Sequence, residues 1–295
     1  MTAAGITSYY TLVNAGEEVS DIFPDFPSNQ FNHVILCVPQ ETDTVWLECT
    51  NQLQPFGFLG SFTANRHVLL ITPEGGKMVK TPEYPETVNT QNRKTVIELD
   101  TNGNASVSVR TIYRGLQYED VAGMENKSVQ DLEKILFRRI KASSVKIKKI
   151  NYSFNKDQIP EAMETIDLSV RSLAVRTGDR IFLPFNLFGN ITASLNEVSS
   201  RKTPLNFRYS YIDSDTVEVH IPSGFRIESL PAVADVSSQF GHYQIRISQK
   251  EDVLLYYRVF EMKKGRYVPE SFMEFKKYLQ TIALAEKNNA VLIRK

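Results

Sequence analysis

The sequence predicts an α+β protein that is mostly β: a short sheet in the first eighty or so residues, then a β-sandwich-like domain with two helices. Three observations carry this expectation. Along most of the 295 residues, apolar side chains fall in short alternating runs of strand formers. Gly, Pro, Asn and Asp separate those runs at close intervals. Only two stretches, near 128–141 and 269–287, carry apolar residues at helical spacing.

Taken in order, Thr2-Ala3-Ala4-Gly5 reads as the last turn of a helix with its glycine cap, and Ile6–Val13 as the strand leaving it. Phe31–Val38 is a near-continuous apolar run. Pro39-Gln40-Glu41-Thr42 carries turn chemistry, and Val45–Thr50 resumes strand character, so the three segments make a β-hairpin. Arg66–Thr72 reads as the last strand of this unit. Pro73-Glu74-Gly75-Gly76 and Thr81-Pro82-Glu83-Tyr84-Pro85 then mark turns and a linker, which divides the chain into domains at 1–82 and 91–295.

Beyond the linker, Lys94–Leu99 and Ser106–Tyr113 flank Asn102-Gly103, the signal of a tight hairpin turn. Ser128 with Asp131 three residues on resembles a capping box, and Leu132, Ile135, Leu136 and Ile140 form one apolar stripe behind it. Period-two patterning returns from Val145. Further strands are expected at Ile166–Val175, Arg180–Phe185, Leu205–Ile212, Thr216–Ile221, Tyr243–Ile247 and Val253–Phe260, a density that suits a sandwich. Pro269 opens the terminal helix, in which Phe272, Phe275, Leu279 and Ile282 recur, and Ala290–Ile293 closes as a strand.

Within the first hairpin, a histidine and an acid sit at the two ends. If the turn centres between Gln40 and Glu41, His33 lies opposite Glu48, with Cβ atoms about 4.5–5.5 Å apart on one face. A carboxylate holding one imidazole nitrogen leaves the other free to take a proton from a nucleophile. A slip of one residue would instead turn Cys49 towards His33. The bland alternative is a lone strand histidine beside a surface acid.

The segments Phe31-Asn32-His33 and Trp46-Leu47-Glu48-Cys49-Thr50, followed by Pro55-Phe56-Gly57, are similar to the His and Asp strands of bacterial transglutaminase-like proteins. Those have a papain-like core flanked by β-rich domains of unknown function, and use Cys, His and Asp in that chain order. The resemblance implies that this chain is the carboxy-terminal remnant of such a core sheet plus its accessory domain. His33 falls on the family histidine and Glu48 on its aspartate, and the reaction implied is acyl transfer or amide hydrolysis on a protein or peptide. The family's nucleophile precedes the histidine by several tens of residues, whereas the thirty-two residues before His33 contain no Cys. The chain is therefore expected to be inactive alone, its thiol supplied from outside. The alternative is a non-catalytic binding or assembly module. Without its cysteine helix, the sheet face would be bare and open to dimerisation.

Of the two cysteines present, Cys37 lies four residues along the strand from His33, about 13 Å away at strand rise. Both Cys37 and Cys49 read as inert thiols. His67, His220 and His242 read as structural, without acids or thiols at ligand spacing, so neither a metal nor another cofactor is expected. The basic cluster Arg138, Arg139, Lys141, Lys146, Lys148 and Lys149 lacks interleaved aromatics and reads as a solvated face. With net charge zero and pI near 6.9, no global field favours nucleic acid. No apolar run reaches the roughly 18 residues of a membrane span, and there is no leader at the start as given. The compartment stays open: periplasmic or exported if a preceding part carries a signal peptide.

Overall fold

The computed structural model describes residues 1–16, 21–188 and 201–295. It is an α+β protein dominated by strands. The first five strands are β1 (Tyr9–Val13), β2 (His33–Pro39), β3 (Thr44–Leu47), β4 (His67–Thr72) and β5 (Gly75–Lys80). They form one antiparallel sheet in the order β3-β2-β1-β4-β5. β5 was not expected, because Gly75-Gly76 reads as a break. In the fold Gly75 takes a positive φ of 126° that closes the hairpin, and a Cβ on Gly76 would meet Leu69 at 3.0 Å. The glycines therefore serve an edge strand, and the linker is confined to the residues after Lys80.

One face of this sheet is a core made by Val13, Ile35, Cys37, Trp46, Val68 and Leu70, covered by Leu59, Ala64 and Tyr84. The alternating residues on the other face include Tyr10, Leu12, Val34, Leu36, Leu69 and Ile71. None of these is buried, and Tyr10 and Ile71 are exposed at 53% and 44%.

The next strands are β6 (Thr90–Leu99), β7 (Ala105–Arg114), β8 (Val145–Asn155), β9 (Glu161–Val170), β10 (Val175–Thr177), β11 (Arg180–Leu183) and β12 (Leu205–Phe207). Those that follow are β13 (Tyr211–His220), β14 (Phe225–Ser229), β15 (Ala234–Ser238), β16 (Gly241–Lys250), β17 (Val253–Met262), β18 (Gly265–Tyr267) and β19 (Ala290–Arg294). Helices are α1 (Glu119–Ala122), α2 (Val129–Arg139) and α3 (Phe272–Ala285). An eight-stranded sheet runs β15-β16-β17-β13-β6-β7-β9-β8, and a four-stranded sheet runs β10-β11-β19-β14. One apolar cluster joins them: Ile97, Val107 and Val219 from the large sheet, Ile181 and Leu292 from the small one, Leu136 from α2, and Phe275 and Ile282 from α3. Ser128 caps α2 as its sequence implies, its Oγ accepting from the Asp131 N–H at 3.2 Å.

Strand limits moved where patterning was weakest. β9 begins at Glu161 rather than Ile166, because Glu164 occupies an inward position that a hydrophobic count passes over. The short helical segment Gly115–Asn126, including α1, was missed; it is too short for a period of 3.6 to declare itself.

The buried face of the large sheet is crossed by a row of polar side chains in lateral register: Arg258, Asp215, Arg93, Thr111, Glu164 and Tyr152. Asp215 is paired with both Arg93, at 3.1 Å, and Arg258. Glu286, just past α3, lies 2.9 Å from the Arg258 guanidinium, and Arg139 from α2 pairs with Glu164. Arg139 thus leaves the solvated basic face expected for it and docks its helix on the sheet. Burial pushes the Glu164 carboxyl up, but hydrogen bonding and charge from Arg139 and the Tyr152 hydroxyl bring it below its ordinary range.

Next to this row, burial pushes the Asp213 carboxyl up to about 6, against the opposing hydrogen bond from Gln117 at 2.8 Å and the charge of Arg258. A carboxyl whose folded pKa is raised binds its proton more tightly in the native state, so its contribution to stability falls as pH rises from about 4 to about 6. Asp213→Asn is accordingly expected to stabilise the protein at pH 7, by on the order of 2 kcal/mol, and to change little near pH 3.5. Urea midpoints at the two pH values check this. Equal effects at both would contradict it.

Candidate active site

His33 opens β2 and Glu48 lies one residue past the end of β3. Leu36 pairs with Leu47, Cys37 with Trp46 and Val38 with Val45, so the hairpin turns through Gln40–Asp43 and not at Gln40-Glu41. The Gln40 N–H donates to the Asp43 carbonyl at 2.8 Å to close that loop. Relative to the expected register, the strands are offset by two residues. A two-residue offset keeps every side chain on its face, where an offset of one would have inverted them. His33 and Glu48 therefore become diagonal rather than opposed neighbours, a separation that long side chains bridge. The extra methylene of glutamate supplies the reach.

The His33 Nε2 lies 3.0 and 3.1 Å from the two Glu48 carboxylate oxygens. The Glu48 side chain is only 4% exposed and that of His33 16%. Glu48 Oε1 also accepts from the Thr50 N–H at 3.0 Å and from its hydroxyl at 2.7 Å. Thr50 was missed as a site residue, though the Glu-X-Thr spacing is that of a local side-chain turn and could have suggested it. With two donors from Thr50 and one from the imidazole, the carboxylate is held in one orientation. The Phe62 ring meets the His33 ring edge to face at 5.3 Å, 76° between planes.

The 48–66 loop that carries Phe62 is fixed from outside. Glu119 of α1 accepts the Ser61 N–H at 3.0 Å and a Gln54 amide hydrogen, and the Tyr84 hydroxyl accepts the Leu59 N–H at 3.1 Å. Burial pushes the Tyr84 phenol up to about 12, with Glu119 adding to the rise and the Leu59 N–H opposing it. Arg66 is buried and donates from Nε to the Phe62 carbonyl at 3.2 Å, and also to the Gly16 carbonyl. A Cβ on Gly60 would fall 1.8 Å from the Glu119 carboxylate. Gly60→Ala is therefore expected to expel that carboxylate and loosen the loop. Calorimetry should show a fall of several degrees in Tm, and an unchanged Tm would mean that the clamp is dispensable.

Neither cysteine meets His33. Cys37 points to the same sheet face four residues further along β2, buried, with desolvation raising its thiol against the partial pull of Lys77. Cys49 is exposed and its Sγ turns back to the Leu47 carbonyl at 3.7 Å. His67 bonds Asp21 at 2.6 Å and ties residue 21 to the start of β4. Acids do stand beside the remaining histidines, Glu218 3.1 Å from His220 and Asp235 2.8 Å from His242, contrary to the sequence expectation. Asp235 reaches His242 across the β15–β16 pair, whereas Glu218 lies two residues before His220 on the same face of β13, a spacing the sequence does carry. Among the described residues no group of three or more such side chains could hold a metal ion, and no helix is long and apolar enough to cross a membrane.

A family model described as a domain of unknown function with solved structure, DUF3858, matches residues 179–292. That interval runs from the hairpin of β10 and β11 to β19. No curated protein matches the chain. A crystal structure described as a putative protease from Parabacteroides distasonis ATCC 8503 shares the fold, with a TM-score of 0.51 and 11% sequence identity. The match covers 99% of this chain but only 41% of that one, so the chain spans about two fifths of the length of this structural relative.

Proposed function

We propose that His33 and Glu48 are the general base and its orienting carboxylate in a thiol-dependent acyl transferase or peptidase of the transglutaminase-like kind. The protein would divide into a partial catalytic core at 1–82 and a β-rich accessory domain at 91–295. The supporting observation is the geometry of the pair: Nε2 is held at 3.0 Å by a carboxylate that is itself fixed by Thr50. That bond keeps the ring proton on Nε2 and leaves the Nδ1 lone pair to accept a proton. Nδ1 takes the proton from a thiol, the thiolate attacks an acyl carbon, and Nδ1 returns the proton to the departing amine. Similarity in fold to a protein described as a protease agrees with this class.

Since both cysteines of the chain are misplaced for the role, the thiol comes from elsewhere in the enzyme. The half-exposed face bearing Tyr10, Leu12, Val34 and Leu36 lies opposite the one that carries His33 and so is not the seat of that thiol, but leaving several hundred Å² of it bare would cost on the order of 10 kcal/mol. The chain by itself should therefore dimerise or exchange hydrogen rapidly in its first eighty residues. Strong protection across 6–50 in a strict monomer by sedimentation would contradict this.

The enzymatic reading is tested by ammonia release from glutamine peptides, and by peptide hydrolysis. With the polypeptide as its cell makes it, turnover is expected to be blocked by iodoacetamide and lost in His33→Ala, and this chain alone should show none. Thiol-independent turnover, or activity that survives His33→Ala, would overturn the proposal and leave an assembly module as the better reading.

A further inference from the structure

A single carboxylate does not fix an imidazole plane. Glu48 holds one atom of the His33 ring, Nε2, almost midway between its two oxygens, which leaves the ring able to turn about that contact. The plane of the ring sets the direction of the Nδ1 lone pair. What bears on that plane is the Phe62 ring, 5.3 Å away and inclined at 76°. Phe62 belongs to the long loop between β3 and β4, and a side chain on a loop holds its neighbour only as firmly as the loop itself is held.

The backbone around Phe62 is fixed on both sides. The peptide plane before it carries the Ser61 carbonyl, which accepts from the Arg208 guanidinium at 2.9 Å. The plane after it carries the Phe62 carbonyl, which accepts the Gly16 N–H at 3.1 Å and the Arg66 Nε–H at 3.2 Å. One plane earlier, the Ser61 N–H donates to Glu119 at 3.0 Å. Arg208 also donates to the Gly16 carbonyl, so one guanidinium reaches both segments that flank the ring. With the neighbouring planes set, only the side-chain torsions of Phe62 are left to it. Glu119 opens α1 and Arg208 precedes β13, so both charged groups come from the elements around the large sheet and not from the five-stranded one. Bonds from charged side chains to backbone groups are the short, directional kind that suits such a task.

We propose that Arg208 and Glu119 are positioning residues of the His33 site, supplied by the β-rich region beyond residue 91, and that they hold the Phe62 ring against the imidazole through the backbone of Ser61 and Phe62. Calling the site catalytic rests on the proposed function, while the placement of the ring does not. The β-rich region thereby becomes part of the site: a shift of it relative to the five-stranded sheet changes the angle at which His33 presents Nδ1.

The test follows the carbon-bound ring protons of His33, one of four histidines, in ¹H–¹³C spectra of the full chain, with Phe62→Leu as the reference for a lost ring contact. Glu119→Gln combined with Arg208→Gln is expected to move the His33 signals to the Phe62→Leu position, and each single variant part of the way. Arg208→Lys keeps the charge but loses the fork that reaches two carbonyls, so its signals should stop in between. Arg180→Gln, which breaks the exposed pair with Glu228 in the same region, should leave them at the parent position. In the thiol-bearing enzyme the double variant should lower kcat at least several-fold with little change in KM. Hydrogen exchange at the Ser61 N–H reports separately that the clamp has been released. Parent His33 signals once that N–H exchanges freely, or signals that Arg180→Gln displaces as far, would overturn the proposal. Should the double variant unfold, the same two readings on Glu119→Gln and Arg208→Lys decide it. Displaced signals with an unchanged kcat would support the positioning and count against His33 as the base.

Discussion

On the proposed function, His33→Ala is expected to reduce turnover by about 10²–10⁴-fold in the thiol-bearing enzyme, the usual worth of a positioned general base. Among the described residues, the groups that could replace the imidazole are engaged: Glu48 is spent on Nε2 and Thr50, and His67 is bonded to Asp21. Glu48→Gln tests the orienting role separately. The amide could still accept a hydrogen from Nε2, but it could equally present its NH₂ and turn the imidazole to the wrong tautomer, at a loss of up to about 10⁴-fold in kcat. Glu48→Asp is the more telling variant. With the diagonal register, the shorter side chain falls short of His33 by roughly a bond length, so aspartate should be tolerated poorly here. Wild-type kcat in Glu48→Asp would show that the carboxylate does not position the ring.

Arg258→Met is expected to cost about 3–5 kcal/mol of stability, the penalty for stripping one partner from a buried ionic group. Arg258 is 4% exposed and stands between two carboxylates, Asp215 on β13 and Glu286 past the end of α3. Asp215 keeps Arg93, and Glu286 still accepts from the Tyr243 hydroxyl at 3.0 Å. Loss of the guanidinium beside Glu286 should loosen α3 before the sheet. Urea unfolding gives the magnitude, and hydrogen exchange across 272–286 gives the location. In the double variant Arg258→Met with Glu286→Leu, most of the loss should return, because two apolar side chains replace a buried ion pair broken on one side. A double variant as unstable as the sum of the singles would place the importance of Arg258 in its packing on Tyr243 instead.

Much of the local structure was legible before any coordinates, where a local physical rule governs it. The Ser128 cap, the Asn102-Gly103 turn, the stripe of α2 and the terminal helix followed by β19 all depend on residues within a few positions of one another. His33 and Glu48 were legible for a related reason: they belong to one hairpin, and side-chain parity along a strand survives a register offset of two. The expected opposition was wrong in detail and right in face. What the sequence could not disclose is everything set by pairing across the fold. Whether Gly75-Gly76 is a linker or an edge strand depends on β4 beside it. The row from Arg258 to Tyr152 assembles from six strands scattered over more than a hundred residues, and each member alone reads as a surface polar residue. The clamp of Glu119 on the 48–66 loop is of the same kind. Local propensity acts through neighbours in sequence, whereas a buried charge is tolerated only where distant strands bring its partner within a few ångströms, and that decision belongs to the tertiary structure alone.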